Sequence, residues 1–325
     1  MSHLILHIGT HKTGTTAIQH AFRQNAARLE TRGIIYPRLH PRHAGHHGLI
    51  AEETRLPAPF HLKGGGWAAL QRLAKRYQSG GQTLFLSSEE FSRGDETKAV
   101  DLPRLAGLFS GFDRITVLCA LRPQWRFLQA IYLEISRNRS PRRPPDLVAE
   151  ALETGRCMGL YLDYTSLFDR VERAFGEGSV VLCDFEAARQ RPGGVVDWAL
   201  NLAGAAGAIP AAQRKNVSPP PLPQWAANLL AEPYAAPPGL TQRTADALQR
   251  YRKAPASSVL TRDEIDRLKR AFAASNQALA SRYPGFTLTD PPLPKTCLHR
   301  EDLTLEFWLE TGRALIRPAL TGVAE

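Results

Sequence analysis

The chain has 325 residues, 43% of them apolar, enough for one large α/β core or two smaller ones. Its 41 Lys and Arg against 31 Asp and Glu leave a net charge of +10, which suits an acidic ligand or acceptor and, on charge alone, nucleic acid. The opening apolar run is too short for a secretory signal, and no segment is long and apolar enough to span a membrane, so a cytoplasmic protein with no membrane partner is expected.

The first element is the most informative. Leu4-Ile5-Leu6-His7-Ile8 reads as a buried strand, and Gly9-Thr10-His11-Lys12-Thr13-Gly14-Thr15-Thr16 as a loop of small residues around one lysine. An amphipathic helix follows, with Ile18, Ala21, Phe22, Ala26 and Leu29 at helical spacing. Strand, Gly/Thr loop and helix N-terminus together make an anion site: backbone N–H groups point outward, the helix dipole adds positive potential, and Lys12 adds a full charge. A phosphate-like ligand is expected. Gly9 and Gly14 have the separation of a nucleotide triphosphate loop, but Thr15 stands where that motif places its lysine.

Further strands are expected at 33–37, 82–88, 114–121 and 179–184. Residues 38–66 read as mostly irregular, and helices are expected over 67–77, from about Pro123, and within 241–285. Strands alternating with helices imply a parallel sheet covered on both faces, with ligands beyond the carboxyl ends of its strands. The Lys12 loop, Ser87–Glu90 and Arg122 all fall there. Cys119, Cys157, Cys183 and Cys297 show no metal spacing; Cys119 and Cys183 sit in strand-like runs and read as reduced core residues. Phe307 and Trp308 lie on an amphipathic pattern that packs on the core or on a second subunit, so a homodimer is one expectation.

The strand followed by His11-Lys12-Thr13-Gly14-Thr15-Thr16 and a helix resembles the 5′-phosphosulfate loop of sulfotransferases, bacterial members included, which use 3′-phosphoadenosine 5′-phosphosulfate (PAPS) and release 3′-phosphoadenosine 5′-phosphate (PAP). The resemblance covers roughly residues 3–285. It implies a P-loop-type three-layer α/β fold, a central parallel sheet flanked by helices. It implies transfer of a sulfuryl group to a hydroxyl or amine acceptor without a metal. Lys12 would neutralise the leaving oxygen, and Thr13, Gly14, Thr15 and Thr16 would hold the 5′-phosphate. Arg122, in Leu121-Arg122-Pro123, matches the arginine that binds the 3′-phosphate, whereas Ala130 stands where the family carries a serine. Arg214 and Lys215 match a basic loop that closes over the 3′-phosphate, with Asn216 where the cytosolic branch has glycine. Tyr164 reads either as a neighbour of the adenine or as a packed helical tyrosine, and Ser275-Asn276-Gln277 is a weaker echo.

Family branches use a glutamate or a histidine as the base for the acceptor. Glu89 is the first choice, with Glu90, His46 and His47 as rivals. The sulfotransferase-like domain is expected over 1–290, with acceptor loops at about 38–66, 138–145 and 217–240, and a C-terminal extension over 291–325. The basic run 138–145 suits an acidic or already sulfated acceptor; a carbohydrate or small metabolite is the expected class, and nucleic acid is not. Two other readings remain: a variant P-loop kinase or NTPase, and a non-catalytic basic polyanion-binding protein.

Overall fold

The computed structural model describes residues 1–95, 98–209, 218–253 and 256–321, the last five by backbone alone. Its strands are β1 (His3–Gly9), β2 (Ile34–Ile35), β3 (Thr83–Ser87), β4 (Arg114–Leu121), β5 (Arg156–Cys157), β6 (Leu160–Tyr161) and β7 (Val180–Asp184). The helices run from α1 (Thr15–Gln24), α2 (Ala26–Glu30), α3 (Gly66–Tyr77) and α4 (Leu102–Leu108) through α5 (Gln124–Ile135), α6 (Pro144–Thr154) and α7 (Tyr164–Phe175). They continue with α8 (Phe185–Ala188), α9 (Gly194–Leu202), α10 (Pro221–Ala231), α11 (Pro238–Tyr251), α12 (Arg262–Arg282) and α13 (Leu305–Thr321). The chain divides into two units: Met1–Pro123 with Gly155–Lys215 and Phe272–Asp290, and Gln124–Thr154 with Asn216–Ala271 and Pro291–Glu325.

The first unit is an α/β fold around a central five-stranded, all-parallel sheet in the order β2-β3-β1-β4-β7. Side chains alternate across it. Leu4, Leu6 and Ile8 join Leu84, Leu86, Val117 and Cys119 under α3, α4 and α7, while Ile5 joins Phe85, Leu118 and Ala120 against α1 and α9. Burial on both faces is why the first strand reads as an unbroken apolar run. Each of its leucines, fully enclosed, contributes about 2 kcal/mol relative to exposure. Phe22 of α1 meets Phe85 with ring centroids 4.2 Å apart, tying the helix to the sheet.

Chain order decides where a site can form. From β1 the chain runs to β2 and β3 on one side, then crosses to β4 and β7 on the other. The carboxyl end of β1 is therefore the switch point of the sheet, where open α/β folds leave a crevice. There the ladder between β1 and β4 slips by one residue between His7 and Gly9, a bulge that re-aims the strand as the loop begins.

Two elements differ from expectation for local reasons. The first helix stops at Gln24, because Asn25 leaves helical geometry and its side-chain amide donates to the Ala21 carbonyl at 2.8 Å; α2 then carries Leu29 into the core. The second strand shrinks to two residues on the sheet edge, before Pro37, which has no N–H to give a ladder. The 38–66 segment is irregular yet anchored: Arg23 donates to the carbonyls of His40, Pro41 and His43, and the Tyr36 hydroxyl donates to Ala44 at 2.7 Å.

The second unit is helical. Leu222 and Ala226 of α10, Ala247 and Leu248 of α11, Phe307 of α13, and Leu298 form its apolar cluster. Asn228 donates to the Tyr132 hydroxyl at 2.9 Å and to Ser136 at 2.8 Å, and accepts from Gln224 at 3.0 Å, a fully buried polar link between α10 and α5. The 217–240 stretch, expected as a loop, instead contains α10 and the start of α11. Its prolines mislead because most of them, Pro220, Pro221, Pro223, Pro237 and Pro238, cap or open the two helices, where the missing N–H has no helical partner to lose. The 291–325 segment packs into this unit through Leu298 and Phe307. All four cysteines are free and buried. Among the described residues no helix is long and apolar enough to cross a membrane, and no group of three or more His, Cys, Asp or Glu is placed to hold a metal ion.

Candidate functional site

The loop after β1 is held from both neighbouring strands. On the β4 side, the amide and hydroxyl of Thr10 both donate to the Ala120 carbonyl, at 3.0 and 3.1 Å. On the β3 side, Gly9 has φ +83° and lies so close to Glu89 that a Cβ there would come within 2.8 Å of the Glu89 Cβ. Lys12 and Gly14 are also left-handed, at φ +59° and +84°. For Lys12 this costs about 1 kcal/mol, since only glycine adopts that conformation freely. Gly14 is required twice over, because a Cβ would also meet Val195 Cγ2 of α9 at 2.6 Å.

These turns deliver the chain to α1 with no side chain capping its N-terminus. The Ala17 amide donates to the Gly14 carbonyl at 2.9 Å, whereas the amides of Thr15 and Thr16, at the very start, have no carbonyl one turn back within the helix. Thr13, fully buried, and Thr15 donate their hydroxyls to the Thr10 carbonyl at 2.6 and 3.3 Å. Those two hydroxyls therefore brace the loop, and the threonine exposed at its mouth is Thr16. An uncapped helix start, a lysine and a braced backbone fit an oxyanion such as phosphate or sulfate.

Arg122, one residue beyond β4, reaches the loop: its Nη1 donates to the Lys12 carbonyl at 3.3 Å and its Nη2 to Glu186 Oε1 at 2.6 Å. Its guanidinium lies 5.1 Å from the Phe185 ring centroid. Phe185 and Glu186 belong to α8, whose start is capped by Asp184 accepting from the Glu186 and Ala187 amides. Glu186 has only 3% of its side chain exposed, so Arg122 also neutralises a buried carboxylate.

The two glutamates after β3 have different fates. The strand ends at Ser87, and both open a short 3₁₀ turn capped by the Ser88 hydroxyl. Glu90 is buried and accepts from His11 Nε2 at 3.1 Å and Arg93 Nε at 2.7 Å. Burial opposes its ionisation, but those two partners outweigh burial and hold its carboxyl down to about 2. It is a structural anion that locks His11 in place. Glu89 is more open, with 20% of its side chain exposed. Its Oε2 accepts from Gln19 Nε2 at 3.1 Å and lies 3.9 Å from His47 Nδ1, which itself shares a 2.8 Å hydrogen bond with Ser88.

His46 does not fit the base role. It is 2% exposed, its Nε2 donates to the Pro37 carbonyl at 2.8 Å, and its Nδ1 accepts from the Ser87 amide at 2.9 Å. Burial holds it down to about 4, against the pull of the Pro37 carbonyl, so it stays a neutral splint between the 38–66 segment and β3. Tyr164 is fully buried and donates to the Arg122 carbonyl at 2.7 Å, the packed reading of that residue. Ser275 donates to Asp163, the cap of α7, at 2.7 Å. Ala130 is a buried residue of α5 in the second unit. Arg214 and Lys215 lie outside the described residues.

The structure thus gathers Lys12, Thr13, Gly14, Thr15, Thr16, Glu89 and Arg122 around one strand end. Sequence reasoning missed Gln19, Glu186 and Arg93. Gln19 did carry a signal: it is a polar residue beside Ile18 on the face that also buries Phe22.

No family model and no curated protein matches the chain. Among solved structures it is similar to a sulfotransferase from Alicyclobacillus acidocaldarius, at 14% identity and a TM-score of 0.41, over 84% of this chain and 95% of that one. At that distance the match assigns no residue a role.

Proposed function

We propose that this protein is a PAPS-dependent sulfotransferase, transferring a sulfuryl group to a hydroxyl or amine of a carbohydrate or small metabolite. The observation that carries the reading is the braced, left-handed Lys12–Gly14 turn feeding an uncapped helix at the switch point, with an accessible carboxylate, Glu89, packed against it. PAPS supplies an SO₃ group on a phosphate leaving group. The Gly14, Thr15 and Thr16 amides hold its 5′-phosphate and the Lys12 charge offsets negative charge building on the leaving oxygen. Arg122, fixed by Glu186, addresses the 3′-phosphate, and Arg214 and Lys215 close over it. Glu89, oriented by Gln19, takes the acceptor proton; Glu90 is already committed to His11 and Arg93.

Calorimetry with PAP, PAPS and ATP, with and without magnesium, tests the reading. The expected result is PAP binding that needs no metal and falls at least tenfold in Lys12→Ala. Lys12 is a cleaner probe than Arg122, whose loss also leaves buried Glu186 with Arg189 as its remaining arginine. Magnesium-dependent ATP binding in place of PAP binding identifies a kinase or NTPase. Salt-sensitive binding of polyanions with no nucleotide affinity identifies a binding module.

A further inference from the structure

The helix α13 buries one face and exposes another. Phe307 and Thr311 are 0% and 1% exposed and pack into the second unit. On the other side Leu305, Leu309 and Ile316 are 73%, 54% and 56% exposed, unusual for large apolar side chains. With Gly312 they recur at steps of four, three and four residues, the spacing of a coiled-coil seam. Gly312 is a helix-interior glycine with open space where a Cβ would sit, at a position where alanine would favour the helix. A second backbone approaching closely gives that glycine a reason.

The charges beside this seam select its occupant. Glu306 lies in the first turn and Arg313 two turns on, along the same flank, both exposed, Arg313 also pairing with Glu310 one turn back on its own helix. In an antiparallel pairing of two copies, centred between Glu310 and Thr311, Leu305 faces the partner's Ile316 and Leu309 faces the partner's Gly312. Glu306 then comes beside the partner's Arg313, twice by symmetry. A parallel pairing would instead turn this flank toward the partner's Trp308 and Leu315 side, so that neither Glu306 nor Arg313 met an opposite charge. We infer that α13 is an isologous, antiparallel dimerisation helix whose partner is a second copy of this chain. The apolar seam supplies the attraction and the flanking charges set the direction.

Sedimentation equilibrium on the full chain reads the outcome. The expected result is a reversible dimer, with Leu309→Glu weakening self-association about a hundredfold while its circular dichroism spectrum is unchanged, since Leu309 is already exposed. Glu306→Lys weakens the dimer and the charge-swapped pair Glu306→Lys with Arg313→Glu restores it. Under oxidation, Leu305→Cys with Ile316→Cys yields covalent dimers, whereas Leu305→Cys alone does not; the native thiols are buried and stay silent. A chain that remains monomeric at high concentration, a dimer indifferent to Leu309→Glu, or cross-linking by Leu305→Cys alone would each overturn the inference.

Discussion

Replacing Gly14 with alanine tests the loop that the whole site depends on. Two independent terms oppose the substitution. The backbone sits at φ +84°, where a side chain costs about 1 kcal/mol or slightly more. The new methyl also falls 2.6 Å from Val195 Cγ2, and overpacking of that kind costs about 1–3 kcal/mol because α9 is packed against the sheet. The sum, about 2–4 kcal/mol, is a large fraction of a typical folding free energy. The terms separate in a double-mutant cycle. Val195→Ala removes the atom that clashes and leaves the backbone cost in place, so the coupling between the two positions is about 1–3 kcal/mol in the favourable direction. Equilibrium urea unfolding of wild type, both single variants and the double variant measures it. If Gly14→Ala lies within about 0.5 kcal/mol of wild type, or the coupling vanishes, the left-handed turn against α9 is not what shapes the loop.

Other consequences are equally direct. His7 and His46 are each held down to about 4, chiefly by burial. Between about pH 6.5 and 4 the unfolded chain takes up protons that the fold refuses, so stability is full above that window and falls on acidification. The slope is about 1 kcal/mol per pH unit for each histidine; thermal melts across the window read it, and His46→Gln should roughly halve the part due to this pair. Glu90→Gln leaves Arg93 and His11 without their carboxylate and should cost about 3 kcal/mol, visible as a lower Tm, yet keep turnover in the protein that folds. Glu89→Gln should do the reverse: PAP release from PAPS with a panel of sugar, phenol and amine acceptors is lost while PAP affinity is kept. Equal turnover in Glu89→Gln and wild type moves the base elsewhere, with His47 the adjacent candidate. Lys12→Gly should be about 1 kcal/mol more stable than Lys12→Ala, because glycine accepts φ +59°, while both bind anions equally poorly in a phosphate-displacement titration.

Periodicity along the chain was enough to place every strand of the main sheet, because burial on both faces writes an uninterrupted apolar run that nothing else in a polar loop context imitates. The turn after β1 was equally plain, since a glycine-threonine run between strand and helix constrains backbone geometry by composition alone. What composition leaves open is which polar group faces which. Glu89 and Glu90 are adjacent and chemically alike; only the turn after β3 directs one at His11 and Arg93 and leaves the other half-open beside Gln19. His46 and His47 are likewise neighbours, and only the approach of the 38–66 segment to β3 consumes both nitrogens of the first. The prolines of 217–240 read as loop because a proline in a first helical turn and a proline in an irregular segment look the same without the helix around them. On α13 the heptad-like spacing is written in the residues, but Phe307, not Leu309, looks like the contact residue until the fold buries it. Local backbone and hydrophobic preferences are short-range and legible in one dimension; the pairing of charges and the choice between buried and exposed faces depend on partners tens of residues away, and those the tertiary fold alone supplies.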